Sequence, residues 1–294
     1  MEISLSSYSL YHYMRLYKKD IFDAVDKAHE MGFPAMEFIE IPGTTYEEQA
    51  ENAKKIREKL DGYNMKVTAF TICADFFLEG EEFEEEFRRL KDQLEIAKIL
   101  GAPLMRHDAV RKNNMAGIDL PIRSFDLALP LMAENMRRVS EYAKTLGIKT
   151  CVENHGRLVQ DSERLERLFN MVNHDNFGLL VDMGNFLCVD DDPIKAVSRL
   201  APYAIHVHAK DMFFYSGEGH HPGAGSIITR GGNWIRCTVI GQGSVPVKQC
   251  LRILKFAGYK GALGLEFEGC EEPIDGITKG YANLKRYLSE LEEE

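Results

Sequence analysis

The chain has 294 residues, 45% of them hydrophobic, enough for one large α/β core or two smaller ones. A formal net charge of −10 and a pI near 5.5 argue against nucleic-acid or anionic-membrane binding, because both need a basic face. The amino terminus carries no basic stretch leading into an apolar one, and nowhere do about 18 apolar residues run together. The six cysteines form no C-x-x-C pair, so a soluble cytoplasmic chain with reduced core thiols is expected.

Along the chain, short apolar runs alternate with charged segments of helical period, without a linker, which predicts one domain over 1–294. The runs expected to be strands are 3–7, 35–41, 66–72, 104–107, 149–153, 178–182, 205–208 and 263–266. Helices are expected at 20–31, 46–60, 81–100, 129–146, 162–172, 193–200 and 247–257, with an acidic closing helix over 281–294. Several end in glycine, at Gly32, Gly101, Gly147 and Gly258, where the left-handed backbone of a helix stop is cheap. Residues 211–246 read as a long loop segment. Eight βα units of this size predict a single (β/α)8 TIM barrel. The competing fold, an open doubly wound sheet, lacks its G-x-G-x-x-G fingerprint after the first strand.

Four of the later strands end in a charged or metal-binding side chain: Glu153, Asp182, His208 and Glu266. In a barrel the carboxyl ends of the strands open into one pocket, so these groups converge. Three buried carboxylates repel one another unless protonated or held by a cation. Taken singly, each residue has a plainer role as a helix cap, surface ion pair or satisfied core group, but together they form a hard-donor set. Such a set suits one divalent ion, Mn²⁺ or Mg²⁺ first, with Co²⁺, Zn²⁺ or Fe²⁺ acceptable.

The segments Val152-Glu-Asn-His-Gly156, Val181-Asp-Met-Gly-Asn185, His206-Val-His-Ala-Lys-Asp211, Ile240-Gly-Gln-Gly243, Gly258-Tyr-Lys-Gly261 and Leu265-Glu-Phe-Glu-Gly269 resemble the xylose-isomerase-like TIM barrels. That superfamily holds sugar isomerases and epimerases, inosose dehydratases and family-2 AP endonucleases. The resemblance spans essentially the whole chain and implies that Glu153, Asp182, His208 and Glu266 ligate the metal, with His208 rather than His206 as the imidazole ligand. The endonuclease branch fits poorly, because Asn185 stands where its pattern has a histidine. Trp234–Ile240 also lacks its Asp-x-His pair, and His220-His221 lies too far upstream.

One metal favours proton transfer beside a carbonyl, through an enediolate stabilised by the cation. The resemblance implies Glu153 and Glu266 as the acid–base pair of an isomerase or epimerase acting on a sugar or polyol. The same pocket also supports elimination, as in a dehydratase, or binding without catalysis. Glu40, His107, His155, Asn185, Lys210 and Arg236 are further candidates for contacts with substrate. The glycine- and aromatic-rich stretch 213–225 is read as a lid or a subunit contact, the latter implying a homo-oligomer.

Overall fold

The computed structural model describes residues 1–110 and 124–294. Seven strands follow one another: β1 (Ile3–Ser6), β2 (Ala35–Ile39), β3 (Lys66–Ile72), β4 (Leu104–His107), β5 (Lys149–Glu153), β6 (Phe177–Asp182) and β7 (Ala204–Ala209). Three short strands come next, β8 (Asp211–Tyr215), β9 (Ile227–Ile228) and β10 (Trp234–Thr238), before β11 (Leu263–Leu265). β1 to β7 and β11 pair in parallel and close into a barrel, β11 lying between β7 and β1. This is the (β/α)8 TIM barrel predicted from the strand and helix pattern.

Helices α1 (Tyr11–Tyr17), α2 (Ile21–Glu30), α3 (Tyr46–Gly62), α4 (Gly80–Leu100), α5 (Phe125–Thr145), α6 (Ser162–Val172), α7 (Pro193–Leu200), α8 (Val247–Phe256) and α9 (Pro273–Glu293) surround it. Their starts follow local chemistry. Asp20 and Asp23 form a reciprocal capping box on α2, and Asp192 caps α7 just before Pro193. On α3, Ala50, Ala53, Ile56 and Leu60 recur at helical spacing and are buried against the barrel.

Alternation along each strand sets the polarity of the interior. Ala69, Leu104, Cys151 and Leu180 form a buried apolar layer inside the barrel. Two residues further along three of those strands stand Arg106, Glu153 and Asp182, so the polar layer lies one step nearer the carboxyl ends. Gly264 on β11 is required at this level, since a Cβ there would lie 2.8 Å from both Glu37 and His208.

The segment after β7 differs from the expected loop. β8, β10 and β9 form a three-stranded antiparallel sheet in that order. The glycine-rich stretch between β8 and β10 concealed two runs of good strand formers, Met212-Phe-Phe-Tyr215 and Trp234-Ile-Arg-Cys-Thr238. Asp211 anchors this sheet, its carboxylate accepting bonds from the backbone amides of Met212, Gly241, Gly243 and Val245 at 2.8, 2.8, 2.9 and 3.0 Å. Gly243 has to be glycine, because a Cβ would stand 2.2 Å from Asp211 Oδ1. Asp190 holds the far end, accepting from Thr229 Oγ1 and Asn233 Nδ2 at 2.7 and 2.8 Å.

The cysteines are all free, as expected, but Cys73 and Cys270 are exposed rather than core thiols. Among the described residues no helix is long and apolar enough to cross a membrane. Asp211→Ala should lower unfolding free energy by about 3 kcal/mol, because it orphans four backbone amides, those of Met212 and Val245 buried. The check is the urea midpoint, with Asp211→Asn, which retains a carbonyl acceptor, losing less.

Candidate metal centre

Glu153, Asp182, His208 and Glu266 do converge at the carboxyl ends of their strands. Each offers a donor atom, and these atoms all lie within 4.8 Å of one another. His208 Nδ1 is 3.7 Å from Glu153 Oε1, 3.9 Å from Asp182 Oδ2 and 3.5 Å from Glu266 Oε2. All four side chains are buried. Buried His208 Nδ1 and Asp182 Oδ2 have no hydrogen-bond partner, which is costly in a dry interior. Donors separated in this way are spanned by an ion about 2.0–2.2 Å from each, so the residues fit a divalent metal.

The surroundings hold these donors in place. Asp182 Oδ1 accepts from the amides of Gly184 and Asn185 at 2.7 and 3.0 Å, leaving Oδ2 for the cluster. Asn185 donates to Glu153 Oε1 at 2.9 Å and accepts from Lys210 at 3.3 Å, as a candidate near the site should. Lys210 lies deep in the cluster, 2.5 Å from Glu266 Oε2, 2.6 Å from Glu268 Oε1 and 3.2 Å from Asp182 Oδ2. His155 projects from the end of β5 with Nδ1 2.8 Å from Asp108 Oδ1, and lines a small cavity of about 70 Å³ beside Lys210 and Glu268.

Three expected contacts are not brought to this cluster. His107 faces outward, packed against Phe76 and Phe177 with ring centroids 4.4 and 6.1 Å away. Its neighbour Arg106 takes the inward position instead, because successive strand residues alternate. Arg236 sits over the Phe213 ring at 5.4 Å, while the residues on either side of it, Ile235 and Cys237, line the cavity beside His155. Glu40, at φ +44°, is exposed on the rim of a separate cavity on the same face.

Two inward charges escaped the sequence reading. Arg106 Nε lies 2.5 Å from Glu153 Oε2, and its NH2 donates to Asp108 at 2.8 Å. Glu37 shares a hydrogen bond with His206 Nε2 at 2.6 Å and places its other oxygen 2.8 Å from His208 Nε2. That carboxylate favours a proton on His208 Nε2 and leaves Nδ1 to face the ligand set. The legible signal was a lone charge inside an apolar strand, Ala35-Met-Glu37-Phe-Ile and Leu104-Met-Arg106-His.

The model of a family described as xylose isomerase-like TIM barrel matches residues 25–287. The chain belongs to that family. Inosose dehydratase from Lacticaseibacillus casei is 24% identical to this xylose isomerase-like barrel over 245 residues, covering 81% of the chain and 80% of the relative. A solved L-ribulose 3-epimerase superposes with a TM-score of 0.76 at 13% identity, over 100% of this chain and 96% of the other. The IOLI protein, solved with a bound zinc atom, superposes with a TM-score of 0.74 at 17% identity, covering 99% of each.

Electrostatics in this xylose isomerase-like barrel divide the carboxylates. Burial would raise Glu153, but the Arg106 guanidinium holds it well below its ordinary range. Burial likewise opposes ionisation of Glu266, and Lys210 with His208 overcomes it. Asp182 is pushed up to about 7, first by burial and then by Glu266 and Glu153, against the pull of Lys210. Burial lowers His208, yet Glu37 and Glu266 outweigh it and raise the imidazole well above its usual value.

A metal entering this cluster would therefore have to displace protons from Asp182 and His208. Affinity should fall as pH drops below about 7, where Asp182 gains its proton. Calorimetry of Mn²⁺ binding in buffers of different ionisation enthalpy should show proton release that grows on acidification. Gly264→Ala should weaken Mn²⁺ binding by displacing Glu37 and His208, read in the same titration.

Proposed function

We propose that the chain is a divalent-metal-dependent dehydratase of a polyhydroxylated cyclic ketone. A proton leaves the carbon beside the carbonyl, and the hydroxyl on the next carbon departs as water. One observation carries this reading: both carboxylates that an epimerase would need as proton carriers lie 2.5 Å from buried cations, while His155 is oriented by Asp108 and half exposed in the pocket wall. The relatives named inosose dehydratase support the same reading and suggest the substrate class.

A divalent ion held by Glu153, Asp182, His208 and Glu266 would polarise the ketone carbonyl when bound. Lys210, fixed by Glu266 and Glu268, adds a buried positive charge beside the oxygen on which negative charge develops. Glu153 and Glu266, held strongly acidic by Arg106 and Lys210, are poor bases near neutrality. His155 suits that work better. Burial lowers it, but Asp108 outweighs burial and raises it above the usual imidazole value. With Nδ1 engaged by Asp108, Nε2 is the nitrogen left to take the proton from carbon and return it to the departing hydroxyl. The C–H and C–O bonds break, a C=C bond forms beside the carbonyl, and one water is released.

The isomerase or epimerase reading retains one geometric argument. Glu153 and Glu266 both approach His208 Nδ1, at 3.7 and 3.5 Å, as a pair flanking one bound substrate would. Product mass separates the two reactions. With Mn²⁺ and a keto-inositol, a product lighter by one water supports dehydration, whereas conserved mass with deuterium taken up from D₂O supports epimerisation. His155→Asn should reduce kcat about 10²–10⁴-fold. Mn²⁺ affinity should stay within a few-fold, and an unchanged kcat would sink the role of His155.

A further inference from the structure

A cavity of about 780 Å³ opens on the catalytic face beside the ends of β1, β2 and β3, away from the small pocket at His155. Its volume is that of a small-molecule site, for which about 300–1,000 Å³ is usual. No residue of the candidate metal centre lines it, so the chemistry described above leaves it unexplained.

Tyr8 and Tyr11 connect the two regions. Ser9 Oγ accepts from the Phe267 amide at 2.8 Å and donates to the Leu265 carbonyl at 3.1 Å, so the backbone on either side of Glu266 is bonded to the residue next to Tyr8. The Tyr8 ring stacks on that of Tyr11, with centroids 6.3 Å apart and planes 24° apart, and Tyr11 lines the cavity. Both rings are exposed, Tyr8 at 37% and Tyr11 at 51%. A stacked, uncovered aromatic surface thus leads from the reaction centre into the cavity. Tyr46, also exposed, stands at the same cavity.

The polar lining selects a class of ligand. Asp20, Glu40 and Asp92 contribute acids, and no lysine lines the cavity. Its one guanidinium, Arg89, is already held by Glu86 at 2.8 and 2.7 Å and by the Cys73 carbonyl at 2.7 Å. A phosphate or carboxylate would meet repulsion there. A neutral ring with an apolar face for tyrosine and hydroxyls for carboxylates and amides meets complementary chemistry. Glu40, whose left-handed backbone is uncommon outside glycine, places its carboxylate at this rim.

We propose that this cavity is a second sugar subsite, which receives a neutral pyranose ring joined to the reacting ring. The substrate is then a two-ring glycoside rather than a lone monosaccharide or a sugar phosphate. This rests on reading the centre as acting on a polyhydroxylated ketone, but binding at the subsite is separable from turnover.

The test is calorimetric titration of the metal-free and Mn²⁺-loaded protein with glucose, myo-inositol, cellobiose, maltose, phenyl β-glucoside and glucose 6-phosphate. At least one disaccharide should bind about tenfold or more tighter than glucose and myo-inositol, with and without metal. Tyr11→Ala and Tyr46→Ala should each erase most of that gain and leave monosaccharide affinity unchanged. Both residues are exposed, so far-UV circular dichroism should match the parent protein. Equal binding of one-ring and two-ring sugars, or no binding of either disaccharide, overturns the proposal. Tighter binding of phenyl β-glucoside or glucose 6-phosphate than of both disaccharides also overturns it. A surviving disaccharide preference without any dehydration would count against the proposed reaction alone.

Discussion

Charge compensation at the mouth of the barrel is the constraint on which the rest of the structure depends. Glu37, Asp108, Glu153, Asp182 and Glu266 are all buried there, with Glu268 joined to them through Lys210. Arg106, Lys210 and a protonated His208 offset part of this charge. The remainder shows at Asp182, whose carboxyl is pushed to about 7 because its neighbours are also acids. Buried ion pairs of this kind contribute modestly as intact units, but breaking one by removing a partner costs about 3–5 kcal/mol. A divalent cation at the four donors would relieve both the surplus charge and the two orphaned atoms.

The fold delivers that cluster by strand period rather than by any single loop. Leu104 and Arg106, Cys151 and Glu153, and Leu180 and Asp182 each step from the apolar layer to the polar one along the same inward face. On β11 the small Gly264 leaves the width that Glu37 and His208 occupy. The antiparallel sheet after β7 then covers one side of the pocket, tied down by Asp211 at one end and Asp190 at the other. Each of those carboxylates satisfies several donors of a segment too short to be stable alone.

All eight barrel strands and the four converging donors were legible because they rest on local pattern: apolar runs, glycine stops and a charge at each strand end. Most boundaries moved by only a few residues, while the closing helix begins at Pro273, eight residues before the expected start at 281. What local pattern leaves open is the choice between neighbours. His107 was preferred to Arg106, and Glu37 was passed over, because a chain read without register does not say which side chains of a strand face inward. Pairing settles it, since Arg106 lies opposite Cys151 and therefore on the same face as Glu153. The placement of Arg236 was hidden for the same reason, in a strand concealed by the glycine-rich stretch preceding it. Helix α1 was missed because its aromatic-rich seven residues carry no capping side chain.

The cations that make burial tolerable also shape the chemistry. By stabilising the ionised forms of Glu153 and Glu266, Arg106 and Lys210 remove the basicity that those carboxylates would need to trade protons with carbon. In the proposed dehydration, proton transfer would fall to a group outside the four converging donors, and His155 is held in the pocket wall by a carboxylate. Yet the two systems are joined. Arg106 spans Glu153 Oε2 and Asp108 Oδ1, and that same Asp108 oxygen orients the His155 ring. The guanidinium thus ties a candidate metal-ligand carboxylate to the acid that orients the proposed proton carrier, so a change at Arg106 reaches both the donor cluster and His155.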